Sequence, residues 1–133
     1  MSRRHHALRP TAEAIFGFCQ FVEDGPDLFV AGMVSVDAGL NVLDAGDMPA
    51  QVKRVYTDIV AHLARLGFEP ADICEELIYV TDMAAFVAAN ELRKSVLTPA
   101  CRPATTAVQV AALVFPGLVI EVACRARRGG VRT

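Results

Sequence analysis

Two rhythms of hydrophobic and polar positions run along the chain. Between Asp47 and Leu66 the apolar residues Val52, Val55, Tyr56, Ile59, Leu63 and Leu66 recur at three- and four-residue steps. This spacing predicts an amphipathic helix of about five turns, capped by Asp47, with Pro49 in its first turn and Gly67 at its end. A second helix starts at the Thr81-Asp82 cap and runs to about Leu97, with Phe86, Val87, Ala89, Leu92 and Val96 on its apolar side and Thr98-Pro99 as its stop.

The other runs follow the period of a strand. Phe16 to Val22 predicts a first strand, with Phe16, Phe18 and Gln20 on one face, and the turn Glu23-Asp24-Gly25-Pro26-Asp27 leads to a second strand over Leu28 to Val36. Gly32 interrupts that second strand and marks a bulge or the close approach of another backbone or a ligand. Ile73 to Val80 reads as a third strand. Thr105 to Val110 and Leu118 to Cys124 read as a C-terminal hairpin whose last strand is buried on both faces. The order strand, strand, helix, strand, helix, strand, strand predicts an α+β fold, a mixed sheet with two helices on one face. The uncovered face would still carry Phe18, Leu77 and Tyr79, and a second copy of the same chain is the simplest cover for it.

Composition narrows the class. With 133 residues, 53% hydrophobic and 21% charged, the chain fits one domain, residues 1–133, that buries about two-thirds of its unfolded surface. The core is expected over about residues 14–126, between flexible basic termini. The absence of any long apolar run argues against a membrane span, and a net charge of −2 gives no overall field for nucleic acid. Cys19, Cys74, Cys101 and Cys124 form no C-x-x-C pair and His5, His6 and His62 no ligand spacing. Buried free thiols in a reducing cytoplasm are therefore expected, and no metal site.

One residue breaks the last apolar run. Glu121 sits inside LVIEVAC, and a carboxylate there needs either a structural partner, for which Arg125 and Arg102 are candidates, or a chemical role as an acid/base. Glu75 and Glu76 are neighbours on a strand, so they point to opposite faces and cannot form a dyad.

The segments LFVAGMVSVD, the helix start at Ala50-Gln51, LIYVTDMAAF followed by Asn90, RPATTAVQV and LVIEVACRA together resemble the RidA/YjgF family of reactive-intermediate deaminases, older name endoribonuclease L-PSP, over about residues 17–126. The resemblance implies a chorismate-mutase-like fold, a homotrimer with its sheets facing inward, and a small-molecule cleft at each subunit interface. In deaminating members that cleft hydrolyses 2-imino or 2-enamino acids without metal or cofactor. It also implies site residues: Gly32, Asn90 and Glu121 match, whereas Thr105 stands where those members have a carboxylate-gripping arginine, Phe18 where they have tyrosine and Ala31 where they have serine.

A threonine hydroxyl cannot replace a bidentate guanidinium, so the resemblance implies a protein that is not a standard 2-imino-acid deaminase, with a drier cleft that favours a neutral enamine or imine, acted on by hydrolysis or tautomerisation with Glu121 as acid/base. The alternative is a non-catalytic trimer that binds a small molecule or a partner. Ribonuclease activity is not expected, for lack of a histidine pair, a basic groove or a stacking platform. Because family members carry a neutral residue at position 76, Glu75 or Glu76 is expected to face a subunit contact.

Overall fold

The computed structural model describes residues 2–129; of the expected basic termini, Met1 and residues 130–133 lie outside that range. The elements are β1 (Arg4–His6), α1 (Pro10–Phe16), β2 (Phe21–Asp24), β3 (Asp27–Val34), α2 (Met48–Arg65), β4 (Ile73–Val80), α3 (Met83–Leu97), β5 (Ala104–Gln109) and β6 (Ile120–Arg127). The six strands form one sheet in the order β1-β2-β3-β6-β4-β5. Only β4 and β5 run parallel, through the α3 crossover; every other pair is antiparallel.

The two long helices form where their periodicity places them. The Asp47 carboxylate accepts the Ala50 N–H at 3.1 Å, that of Asp82 accepts the Ala85 N–H at 3.0 Å, and each satisfies a donor left open by the first turn. The α2 stripe of Val52, Val55, Tyr56, Ile59 and Leu63 packs into one core with Val30, Met33, Ile78, Val80, Ile120, Val122 and Ala126 of the sheet. The α+β class and the mixed sheet with two helices on one face stand.

Three expectations are corrected. The first strand does not begin at Phe16: Pro10–Phe16 is a helix, ended by Gly17 at φ 79°, and β2 starts only at Phe21. The cause is Glu13, which is buried and gathers the N–H groups of Leu8, Arg9 and Gln20 on its two carboxylate oxygens. No period in so short a run carries that information.

The C-terminal hairpin is absent as well, because β4 lies between β5 and β6. With β4 and β3 as its neighbours, β6 buries Ile120, Val122, Cys124 and Ala126, while Glu121, Ala123 and Arg125 between them are half-buried on the face away from α2 and α3. It is a one-sided strand, not a strand covered on both faces.

The described parts of the basic ends make contacts with the domain. Arg4–His6 pairs with Phe21–Glu23 as an edge strand, Arg127 meets Asp27, and Arg128 binds Glu23 while lying over the Phe68 ring. Finally, Cys101 and Cys124 are buried, but Cys19 is half-buried and Cys74 exposed. Cys74 lies at the register shift between Ile73 and Glu75, where β4 departs from regular pairing.

Candidate functional site

The expected site residues divide between two cavities that lie on opposite faces of the sheet. The first, of about 310 Å³, is lined by Phe18, Ala31, Gly32 and Glu121 together with Arg9, Glu13, Gln20 and Met33. The second, of about 610 Å³, is lined by Asn90 and Thr105 with Arg93, Cys101 and Arg102. Within one chain the two sets do not meet.

The first cavity is built on a bulge in β3. Register with β6 shifts between Val30 and Met33, so Ala31 and Gly32 leave the ladder while Val34 again faces Glu121. Gln20 pins the displaced backbone: its carbonyl accepts the Ala31 N–H at 2.9 Å, and its side-chain amide donates to the Ala31 carbonyl at 2.8 Å and approaches the Met33 sulfur at 3.1 Å. Glu13 in turn accepts the Gln20 N–H at 2.7 Å. Glycine at 32 is a matter of space and not of φ. A Cβ there would lie 2.6 Å from Glu121 Cδ and closer still to Oε2, so the carboxylate fills the place a side chain would need.

Glu121 itself has no hydrogen-bond or ion-pair partner among the described residues. Of the two expected structural partners, Arg125 is engaged with Asp27 and the Phe29 ring, and Arg102 lies in the other cavity. Burial without compensation raises the Glu121 pKa above the usual carboxylate value, which favours a group able to hold or deliver a proton.

The second cavity has the opposite character. Glu76 is buried and accepts hydrogen bonds from Tyr56 Oη at 2.9 Å and Thr105 Oγ1 at 2.8 Å, and it pairs with Arg93. Arg93 also donates to Asn90 Oδ1 and Thr105 Oγ1, both at 3.3 Å. Asn90 and Thr105 are thus members of a closed polar network under α3. Glu76 is held inside the subunit, and Glu75 faces the other side of the sheet beside Leu77 and Ala123.

Residues 8–128 match the family described as Endoribonuclease L-PSP. The chain belongs to this family. Among its relatives are the 3-aminoacrylate deaminase RutC of Acinetobacter baylyi, 32% identical over 72% of this chain and 75% of the relative, and a RutC family protein of Pyrococcus horikoshii, 29% identical over the same shares. A member of the YjgF/YER057c/UK114 family from Mycobacterium tuberculosis superimposes with a TM-score of 0.80 at 28% identity, covering 95% of this chain and 99% of that one. The Rid protein YyfA of Yersinia pestis, with a TM-score of 0.82 over 95% and 99% of the two chains, is 20% identical and speaks for the fold alone. This L-PSP domain is therefore a RidA/YjgF-type chain. No helix among its described residues is long and apolar enough to cross a membrane.

Sequence reasoning missed Arg9, Glu13 and Gln20 in the cavity and the pairing of Glu76 with Arg93. Glu13 offered a signal, a lone acid in the apolar stretch AEAIF. Arg9 offered none, since it reaches the cavity only through the fold of α1 against β2.

Proposed function

We propose that this RidA-type domain acts on a small enamine or imine, by hydrolysis or tautomerisation, with Glu121 as the acid/base. The observation that carries the reading is the unpartnered Glu121 carboxylate over Gly32 in a largely apolar cavity. In the protonated form it delivers a proton to the enamine carbon, and in the ionised form it takes one from water adding to the C=N carbon. The C–N bond then breaks and ammonia leaves, so a carbonyl compound and ammonia form with no change of oxidation state and no cofactor.

The working unit is a homotrimer that brings the Asn90/Thr105 cavity of one subunit against the Glu121 cavity of the next. Half-exposed Phe29 and Val108 on the sheet, with Phe18 beside it before β2, support such a contact. Thr105 is not a carboxylate clamp in this reading, because its hydroxyl is engaged by Glu76 and Arg93.

The test is ammonia release from imines formed in situ by amine and amino-acid oxidases. Wild-type protein should accelerate it, and Glu121→Gln, which keeps the volume but cannot cycle a proton, should reduce the rate by about a hundredfold or more. Equal rates for the two proteins would remove Glu121 from the chemistry and leave a binding protein.

A further inference from the structure

Arg9 is the cation that the cavity's chemistry leaves unexplained. It lines the same cavity as Glu121, Gly32 and Phe18. One Nη2 donor reaches the Asp37 carbonyl at 3.2 Å, Nε is shut off from solvent without an acceptor, and Nη1 has no acceptor among the described residues. A guanidinium has five N–H donors, so most of this one's capacity is unused. Arg93 and Arg125 also carry an orphaned Nε, but each faces a carboxylate, Glu76 and Asp27 respectively. Arg9 faces none. Asp37, whose carbonyl it touches, already accepts the N–H groups of Gly39 and Asn41 on its own carboxylate.

Much of the rest of the wall is apolar, and its other polar side chains, Glu13 and Gln20, are engaged with backbone groups around the β3 bulge. Phe16, Phe18, Val114 and Phe115 line the same space, and Phe16, Phe18 and Val114 remain exposed beside it. A cavity with apolar walls, one unpaired carboxylate and one guanidinium with free donors suits a ligand that has an apolar or aromatic body and an acidic group at one end.

We propose that Arg9 is a ligand-binding residue that grips the acidic group of an aromatic or bulky apolar organic acid, with the reacting carbon held at Glu121. The proposal rests on the reading of this cavity as the reacting site. It also revises the expectation of a neutral ligand drawn from the loss of an arginine at 105. A neutral ligand would leave the Arg9 donors unmet, whereas a carboxylate supplies both the charge and the acceptors.

The experiment measures the affinity of the full-length protein for phenylacetate, its neutral counterpart phenylacetamide, and acetate, by calorimetry or ligand-observed NMR. Wild-type protein should prefer phenylacetate to phenylacetamide by about tenfold or more, as expected for a charge-assisted hydrogen bond, and should bind acetate more weakly than either because the walls go unfilled. Arg9→Gln should abolish the preference by weakening only the acid, Arg9→Lys should restore part of it, and Glu121→Gln should tighten the acid by removing a like charge.

Equal binding of acid and amide by wild type, or an undiminished preference in Arg9→Gln of unchanged Tm, overturns the assignment. Should Arg9→Gln fold poorly, the Arg9→Lys variant and the wild-type acid-to-amide ratio still decide the question. The two readings fail separately: a catalytically active Glu121→Gln protein that still loses its acid preference on Arg9→Gln refutes the acid/base role and supports the Arg9 grip.

Discussion

Glu121 and Glu76 are two carboxylates within one sheet, on the adjacent strands β6 and β4, and they face opposite sides of it. Glu76 lies under α3 with a hydroxyl, a second hydroxyl and a guanidinium around it, whereas Glu121 lies over a glycine with no donor. The first is a closed network and the second an open group. The lesson is that burial alone does not mark a chemical site. A buried carboxylate with both oxygens engaged by donors supports the fold, and one that was desolvated without partners is available to a ligand or a proton.

The largest expected effect of breaking this contrast lies on the satisfied side. Glu76→Ala leaves the Arg93 guanidinium buried and removes the acceptor of Tyr56 and Thr105, so it should destabilise the domain by roughly 3–5 kcal/mol in urea unfolding. A loss under about 1 kcal/mol, the range of exposed pairs, would mean that the network is solvated and the contrast false.

Gly32→Ala tests the open side by removing the space that Glu121 occupies. The new Cβ would drive the carboxylate out of place, at a cost of about 1–3 kcal/mol for overpacking. Gly32→Ala combined with Glu121→Ala should recover most of that stability, because the two groups compete for one volume. Additive losses in the double variant would show that the glycine serves the bulge backbone instead.

The smallest effect has the most telling sign. Because burial raises the Glu121 pKa, the folded state favours the protonated carboxyl, so stability is lost as the pH rises from the ordinary value toward the folded-state one, and the full penalty applies above it. Glu121→Gln should therefore raise Tm at neutral pH, and the gain should disappear below the carboxyl's ordinary value of 4.5. A Tm that falls at neutral pH would reveal a stabilising partner for Glu121 and place it in the same class as Glu76.

Local pattern alone determined the two long helices and their caps, since Asp47 and Asp82 act within three residues of themselves and the apolar stripe of α2 is a property of spacing. It also determined the α+β class, and it marked Gly32 and Glu121 as exceptional positions in otherwise regular strands. Tertiary structure alone decided that Gly32 and Glu121 are exceptional for one shared reason, the side chain of one lying in the space left by the other. The separation of β5 from β6 by β4, the Arg9 guanidinium at the cavity wall and the pairing of Glu76 with Arg93 were likewise decided by the fold. Spacing along the chain sets which face a side chain takes, but strand order and long-range contacts set what it meets there, and for a carboxylate the neighbours determine whether its charge is bound or free to react.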